Sequence, residues 1–278
     1  MALQATAREG NLNPPAAGRA GLEGFGKTMA KTIRVYDRDF RQFSRAAIHP
    51  KVSEVLRDLP RGVLLDFPAG SGALSYRLHK EGFSVCACDI RPEDFEPSEI
   101  PCVRGDLGGR FPFGDNAFDY ATFVEGPEHV ENPFHTFREF ARVLKPGGLF
   151  VVTIPNYGNI EKRLKMVLFG SFEKVVSQER LRRHFSRNPG MLHITPLAYA
   201  QLKFFLETCG FEIQRLEKDR PKPKQYLLYP LAVLIQLLSW VAGRTARDKY
   251  WLNEVNSNRV LLGGNTLIIL ARLTAKPG

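Results

Sequence analysis

The sequence predicts an α/β fold built around a mostly parallel sheet, and three observations carry that prediction. Short apolar segments typical of strands alternate with helical patterns from residue 62 onward. A glycine loop, DFPAGSG at 66–72, lies between the first of these strands and the helix that follows it. The 278 residues are 44% hydrophobic and 24% charged, which is an ordinary globular composition for one large domain.

The order of the elements follows from the periodicity of the apolar residues. Strands are predicted at 62–66, 83–89, 101–104, 117–124 and 147–155, and helices at 73–80 and 133–143. After a basic stretch, the pattern predicts a helix at 196–209 and strands at 211–217 and 265–273. Alternation of this kind is typical of parallel strands covered by helices.

The ends of the chain are predicted to differ from this main domain, which takes residues 61–278. Residues 1–26 are rich in Ala, Gly and Pro and predict a tail without fixed structure. Residues 27–60 show a helical pattern broken near Pro50 and predict an N-terminal helical cap of two short helices. A helical insertion, apolar with basic flanks, is expected at 219–264.

The net charge of +10 is concentrated in one part of the chain. Residues 161–249 carry 17 Lys and Arg against 8 Asp and Glu. Such a surface suits phosphorylated substrates, anionic lipid or nucleic acid, but no nucleic-acid-binding module accompanies it, so we do not expect nucleic acid as a partner. Four cysteines without a CxxC pair, and no secretory leader, predict a protein of the reducing cytoplasm.

The glycine loop predicts a nucleotide-like ligand at the edge of the sheet. Gly70, Gly72 and the small Ser75 imitate a dinucleotide-binding loop, and Asp89 lies where a ribose-binding acid is expected, so a nicotinamide-dependent oxidoreductase is one alternative. Asp66 argues against it, because a carboxylate about 4 Å from a pyrophosphate is repelled by a few kcal/mol. The same carboxylate attracts a cation such as the sulfonium and ammonium of S-adenosylmethionine.

Several motifs together resemble the class I S-adenosylmethionine-dependent methyltransferases over residues 59–217. They are VLLDFPAGSG (63–72), VCACDI (85–90), RGDL (104–107), FDYATFVEGPEHVENP (118–133) and FARVLKPGGLFVVTIPN (140–156). The resemblance implies a Rossmann-like, three-layer, doubly wound sheet of seven strands with the last strand antiparallel. The small-molecule and quinone O-methyltransferases are the branch it points to. Pro68 departs from the motif, where a glycine is usual.

The resemblance also implies the residues that hold the cofactor. Asp66 and the backbone of Ala69, Gly70 and Gly72 would hold the methionine end, and Asp89 with Ile90 would hold ribose and adenine. Asp106 would face the adenine amino group. The implied cofactor-binding set is completed by Phe67, Pro68, Leu107 and Glu125.

The acceptor side is predicted in the turn after the fourth strand of the sheet. His129 is the first candidate for a catalytic base, with Glu128 beside it. Glu125, Glu128 and His129 spell ExxEH, which resembles a segment linked to a divalent cation in quinone-biosynthetic O-methyltransferases, so these three residues also form a candidate Mg²⁺ site. The alternative is that Glu128 and His129 only hold the turn in place. Further candidates lie in a substrate segment at 157–195: Tyr157, Arg163, His184 and His193.

One long apolar stretch lies inside the predicted insertion. Residues 225–243 carry no charge and are flanked by Lys222, Lys224, Arg244 and Arg247. Two interpretations are open: a helix over the active site or a partner subunit, or peripheral contact of 222–247 with the inner face of the membrane. Both favour an apolar acceptor, such as a quinone, a lipid or a polyprenyl-linked glycan intermediate.

The sequence therefore predicts an S-adenosylmethionine-dependent methyltransferase that modifies an oxygen of an apolar or membrane-borne small molecule. Two alternatives are kept: the nicotinamide-dependent oxidoreductase, and a catalytically silent S-adenosylmethionine-binding protein at a membrane surface.

Overall fold

The computed structural model describes residues 31–41, 47–171, 193–220 and 222–276. The main sheet has seven strands with helices on both faces, and a two-stranded hairpin precedes it. The predicted tail at 1–26, His184 and much of the predicted substrate segment lie outside the described residues.

The predicted N-terminal helical cap is wrong in its first half. The chain forms a hairpin of β1 (Thr32–Val35) and β2 (Arg38–Arg41), followed by one helix, α1 (Ile48–Leu56). Ile33, Val35 and Phe40 are spaced for one face of a hairpin, which buries them. Pro50 lies within the first turn of α1, where its missing N–H costs no helical hydrogen bond, and so it does not break the helix.

The main sheet confirms the predicted Rossmann-like architecture. Its elements are β3 (Val63–Asp66), α2 (Ala73–Lys80), β4 (Ser84–Asp89), β5 (Cys102–Arg104), β6 (Phe118–Phe123), α3 (Pro133–Val143), β7 (Leu144–Pro155), α4 (Ile160–Phe169), α5 (Tyr199–Thr208) and β8 (Phe211–Lys218), and the sheet ends with β9 (Thr266–Leu273). The strand order is β5-β4-β3-β6-β7-β9-β8. The last strand in the chain, β9, runs antiparallel to both β7 and β8.

Two hydrophobic cores lie on opposite faces of this sheet and give the fold three layers. On one face, aromatic residues of β6, α3 and β7 pack together, as where the Phe140 and Phe150 rings lie 4.7 Å apart. On the other face, β3 packs against α1, α2 and the hairpin. Strands buried on both faces read as continuous apolar runs, which is why the sequence identifies β7 so clearly.

The predicted helical insertion lies between β8 and β9. It consists of a 3-10 helix (Pro223–Leu228), α6 (Tyr229–Val241), α7 (Gly243–Lys249), α8 (Leu252–Val255) and α9 (Asn258–Leu261). Its own small core joins Ala232, Leu261 and Leu262 to Ile160 of α4. The insertion is therefore anchored next to the end of β7.

Candidate active site

A cleft with an enclosed volume of about 130 Å³ lies at the edge of the sheet where the parallel strands end and opens to solvent. This edge is the usual ligand-binding position in open α/β sheets. The lining residues come from four places: the glycine loop, the start of α2, the ends of β4 and β6, and the N-terminal hairpin with α1. They are Ile33, Arg41, His49, Pro68, Ala69, Gly70, Ser71, Ala73, Leu74, Asp89, Val124 and Glu125.

The glycine loop turns tightly between β3 and α2. Gly70 and Gly72 have φ angles of 55° and 88°, a region that residues with a side chain rarely adopt. A Cβ on Gly72 would lie 2.5 Å from Pro97 Cδ, so a side chain there would displace its neighbours. The backbone N–H of Ala69 donates to the carbonyl of Cys88 at 3.0 Å, which ties the loop to β4. Backbone conformation therefore explains both glycines of the motif.

Asp89 fastens the loop to β4 and lines the cleft. Its Oδ2 accepts from the Gly70 N–H at 2.8 Å, and its Oδ1 accepts from the Arg91 N–H at 2.9 Å. Each carboxylate oxygen has a second lone pair that a ligand hydroxyl can use. Asp89 therefore lines the cleft with acceptor capacity to spare, and its ribose-binding role stays a prediction.

Asp66 lies beneath the loop instead of lining the cleft. Its carboxylate is 1% exposed and accepts hydrogen bonds from Ser75 Oγ at 2.6 Å and Thr122 Oγ1 at 2.7 Å. Burial raises the pKa of Asp66 to about 6, against the lowering effect of the two hydroxyls and with a smaller raising effect of Asp89. The sequence predicts direct contact of Asp66 with the ligand. In the structure Asp66 does not line the cleft, and its carboxylate is a buried negative charge behind the loop.

The remaining predicted cofactor residues fall into three groups. Pro68, Ala69 and Gly70 line the cleft, and the peptide bond before Pro68 is cis. Phe67 is a core residue packed edge-to-face on Phe111, and Leu107 also packs against this core. Ile90 and Asp106 are exposed next to the ends of β4 and β5, and Asp106 accepts from the Gly108 N–H at 2.8 Å. Phe67 and Leu107 therefore support the site from below.

Seven cleft residues are absent from the predicted site: Ser71, Ala73, Leu74 and Val124 within the motifs or beside them, and Ile33, Arg41 and His49 far from them in the chain. The last three are the ones that the motifs cannot indicate. The hairpin brings Ile33 and Arg41 to the cleft, where Ser71 Oγ donates to the Arg41 carbonyl at 2.7 Å. His49 is buried, and burial followed by the charge of Arg77 lowers its pKa to about 4, so it is neutral at neutral pH. No local signal marks these residues, because the tertiary packing of the hairpin alone brings them here.

Glu125 occupies an unusual backbone conformation at the end of β6. Its φ is 49°, and its backbone N–H donates to Thr153 Oγ1 at 2.9 Å. A non-glycine residue in this region stores strain of about 1–3 kcal/mol, which is common at functional sites. Glu125 lines the cleft and supplies it with a second carboxylate.

A second group of polar residues lies beyond β6 and β7. Ligand atoms of Glu128, His129 and His193 lie within 4.8 Å of one another, and the two imidazole rings meet nearly edge to face at 5.1 Å. Tyr157 Oη lies 2.8 Å from His193 Nδ1. We call Glu128, His129, Tyr157 and His193 the histidine cluster. Among the described residues, this group contains two members of the predicted cation set, Glu128 and His129, together with His193 and without Glu125.

Arg163, a candidate substrate residue, instead connects α4 to the insertion. Its guanidinium donates to the Asn256 side chain at 2.5 Å, to the Val255 carbonyl at 2.7 Å and to the Gly158 carbonyl at 2.7 Å. A side chain that makes three structural hydrogen bonds holds the fold together. Arg163 therefore stabilises the insertion next to the site.

Comparison with known proteins agrees with this arrangement. Residues 65–152 match the family model described as "Methyltransferase domain". A demethylmenaquinone methyltransferase of Corynebacterium kroppenstedtii is 32% identical over 152 residues, which cover 51% of this chain and 62% of the relative. One of Mycobacterium tuberculosis is 34% identical over 119 residues, covering 42% and 47%. The chain thus spans less than two thirds of these relatives.

Solved structures share the fold at low sequence identity. A SAM-dependent methyltransferase from Archaeoglobus fulgidus has a TM-score of 0.53 at 17% identity and covers 82% of this chain and 94% of its own. An S-adenosylmethionine-dependent methyltransferase from Mesorhizobium loti has a TM-score of 0.52 at 20% identity, with coverage of 82% and 98%. The predicted resemblance to the class I methyltransferases is confirmed: the glycine loop, Asp89 and Glu125 lie inside the matched segment.

Proposed function

We propose that the protein is an S-adenosylmethionine-dependent methyltransferase whose acceptor is an apolar small molecule with an ionisable hydroxyl, such as a quinol. The observation that carries this proposal is the glycine loop hydrogen-bonded to Asp89, with the Asp66 carboxylate buried behind it. These features lie within the segment that matches the methyltransferase model.

The carboxylates of the cleft suit the charge of the cofactor. Asp89 and Glu125 line it, and both carboxylates can accept hydrogen bonds from ribose hydroxyls or an α-ammonium. Asp66 adds a buried negative charge, which favours a cation and disfavours a pyrophosphate. The acidic cleft therefore favours S-adenosylmethionine over a dinucleotide.

When bound, S-adenosylmethionine supplies an electrophilic methyl group on a sulfonium and leaves as a neutral thioether. The protein has to hold the acceptor oxygen in line with that methyl group and take the proton of its hydroxyl. A neutral imidazole of His129 or His193 can accept this proton. Tyr157 Oη lies 2.8 Å from His193 Nδ1 and can orient that ring, and the Glu128 carboxylate lies within 4.8 Å of a nitrogen in each ring. The acceptor oxygen then forms the new bond to carbon.

Two observations support an apolar acceptor. The curated relatives are named demethylmenaquinone methyltransferases, which fits a quinone-like molecule. The helices next to the histidine cluster expose large apolar side chains, among them Phe169 and Leu227. Removing the proton of a quinol activates both its oxygen and the neighbouring ring carbon; we propose methylation of oxygen.

A metal-assisted variant of this mechanism uses the same cluster. One carboxylate and two imidazoles are a ligand set that suits Zn²⁺ or another first-row transition metal, whereas Mg²⁺ prefers oxygen ligands. A cation held by Glu128, His129 and His193 would lower the pKa of the acceptor hydroxyl. Metal analysis of the purified protein, with activity before and after treatment with a chelator, separates this variant from simple base catalysis.

The proposal is tested by methyl transfer from labelled S-adenosylmethionine to a short-chain hydroquinone, with mass spectrometry and NMR to locate the new methyl group. The expected product carries label on oxygen, and label on a ring carbon would correct the acceptor atom. Titration with NADH in the same buffer is the control for an oxidoreductase. Binding of S-adenosylmethionine without turnover on every hydroquinone tried would instead indicate a catalytically silent binding protein.

A further inference from the structure

Two neighbouring helical segments next to the histidine cluster expose apolar side chains to solvent. We call this surface the apolar platform; it consists of Met166, Val167, Leu168 and Phe169 at the end of α4, and Leu227, Leu234, Leu237, Leu238, Trp240 and Val241 in the insertion. Val167 and Leu227 are 82% and 85% exposed. Apolar surfaces of this kind mark interaction sites.

The two segments are held together by direct contacts. Ile160 of α4 packs in one small core with Ala232 of α6, and Leu228 packs against that core. Lys222 Nζ lies 3.2 Å from Glu161 at the start of α4. The start of α4 and the inner face of α6 therefore pack against each other, and their exposed residues lie on connected elements.

α6 is apolar on both of its long faces. Leu228, Ala232, Ile235 and Ser239 recur every three or four residues on the side that packs against the protein. Leu234, Leu237, Leu238 and Val241 repeat the same spacing on the opposite side, which is exposed. The inner face alone satisfies the fold, and so the outer face is available for a partner.

The charges around the platform select the kind of partner. Residues 222–247 contain four basic residues and no Asp or Glu: Lys222, Lys224, Arg244 and Arg247. Lys222 pairs with Glu161, which leaves Lys224, Arg244 and Arg247 for a partner. The exposed rings of Tyr226, Tyr229 and Trp240 accompany them. Amphipathic aromatic rings and basic residues around an apolar face are typical of segments that lie in a membrane interface.

The connections of the insertion show how it can lie on a surface. The insertion leaves β8 and returns to β9, which are paired neighbours, and the Asp219 N–H donates to the Thr266 carbonyl at 3.1 Å. Within the described residues, no helix by itself has the length and apolar character to span a bilayer, and the one pair that passes together, Pro223–Val241 with Gly243–Lys249, is bent by 115°.

We propose that the apolar platform docks onto an anionic lipid bilayer, with the apolar side chains in the interface and the basic residues against lipid headgroups. A second copy of the chain fits less well, because a symmetric dimer through this surface would bring two sets of basic residues together. The proposal goes beyond methyl transfer, since it concerns where the protein takes up an apolar acceptor.

The direct test uses the two tryptophans of the chain, of which only Trp240 lies on the platform. In a Trp251→Phe variant, Trp240 alone reports on its surroundings. Vesicles with about one third anionic lipid should shift its emission to the blue, and brominated acyl chains should quench it. In the converse variant, Trp240→Phe, the emission of Trp251 should change little. Absence of both the shift and the quenching in Trp251→Phe would overturn the proposal.

Vesicle sedimentation then separates the apolar from the charged contribution. The double variant Leu237→Glu with Val241→Glu should weaken vesicle binding at least about tenfold. The double variant Lys224→Glu with Arg244→Glu should weaken vesicle binding at least about fivefold for each charge at low salt. The matched controls are Phe204→Glu, at a 53% exposed apolar residue outside the platform, and Arg110→Glu, at an exposed basic residue in a different part of the chain. Equal losses in platform and control variants would contradict docking through the platform.

Two further measurements keep the proposal distinct from its rivals. Sedimentation equilibrium without lipid would reveal a dimer. If Leu237→Glu dissociates that dimer and the wild type does not bind vesicles, the surface is a subunit interface and the proposal is overturned. Cofactor titration of every variant should give the wild-type affinity. Failure of methyl transfer with normal vesicle binding would count against the proposed reaction alone.

Discussion

The cofactor side and the acceptor side of the site are built in different ways. On the cofactor side, short hydrogen bonds join residues close in the chain, such as Gly70 to Asp89 and Ser75 to Asp66. On the acceptor side, the contacts join distant residues: Tyr157 reaches His193, and Arg163 reaches Asn256. The centre of the cofactor side is therefore a local motif of the sheet edge, which Thr122 and the N-terminal hairpin complete from a distance. The acceptor side has no such local centre and depends on the assembled fold.

This difference suggests a division of labour that mutagenesis can test. Changes on the cofactor side should alter the affinity for S-adenosylmethionine, and changes on the acceptor side should alter turnover at constant cofactor affinity. A variant that alters both properties would show that the two sides are coupled.

The largest effect is expected on the acceptor side, from replacing both imidazoles. His129→Ala with His193→Ala removes every base of the histidine cluster except Glu128, and kcat should fall by about 10²- to 10⁴-fold. The affinity for S-adenosylmethionine, measured by calorimetry, should stay within about twofold of wild type because neither residue lines the cleft. Unchanged kcat would mean that the cluster takes no part in proton transfer.

On the cofactor side, Asp89→Ala should weaken binding of S-adenosylmethionine by about a hundredfold. The change removes a carboxylate that orders the loop through the Gly70 N–H and can bind ribose hydroxyls, and charged hydrogen bonds contribute about 1.5–3 kcal/mol each. Asp58→Ala is the control for charge, because Asp58 is an exposed acid that does not line the cleft. Equal losses in both variants would point to a general effect of charge.

The same contrast explains how much of the molecule is predictable from the sequence. The sheet, its seven strands and the glycine loop were predicted correctly, since apolar runs and glycines with positive φ are local signals. The hairpin at Thr32–Arg41 was mistaken for a helix, because a few apolar residues fit both periodicities. His193 could not be assigned to the cluster, since 64 residues separate it from His129 and only tertiary packing joins them.

Asp66→Asn should increase stability and weaken cofactor binding. The folded-state pKa of about 6 lies above the ordinary value of 3.8 for an aspartate, so the carboxylate lowers wild-type stability as pH rises through about 6. Near pH 8 the variant should be more stable by about 1–3 kcal/mol, and this gain should disappear near pH 4. Cofactor affinity should fall about tenfold near pH 8.

Urea unfolding at several pH values measures the stability difference. His49, whose lowered pKa of about 4 gives the opposite pH dependence, contributes equally to both proteins and cancels in that difference. A stability gain that does not depend on pH would mean that folding does not raise the pKa of Asp66.

A smaller effect is expected from Tyr157→Phe, which removes the hydroxyl 2.8 Å from His193 Nδ1. One neutral hydrogen bond contributes about 1 kcal/mol, so kcat should fall about fivefold, and the pH at which activity rises should shift if His193 is the base. A normal pH profile together with a lower melting temperature would indicate a purely structural role for Tyr157.

The smallest effect is expected from Ile90→Ala on the cofactor side. The Ile90 side chain is 57% exposed and lies next to Asp89. An adenine base packed against Ile90 would bury part of this side chain. The lost apolar contact is worth about 0.5–1 kcal/mol, or roughly three- to fivefold in affinity. Adenosine and S-adenosylmethionine are each titrated into the wild type and the variant. Both ligands contain the adenine base, so Ile90→Ala should weaken both by the same factor. Unequal factors would mean that Ile90 does not contact the base.

The central claim, a cofactor side that works without the acceptor side, is tested most directly by one set of calorimetric titrations. S-adenosylmethionine, S-adenosylhomocysteine and NADH are titrated into the wild type, Asp89→Ala and His129→Ala with His193→Ala. The account predicts binding of the two sulfur compounds to the wild type and to the histidine variant, strong loss in Asp89→Ala, and no binding of NADH. Binding of NADH alone, or equal loss in both variants, would contradict it.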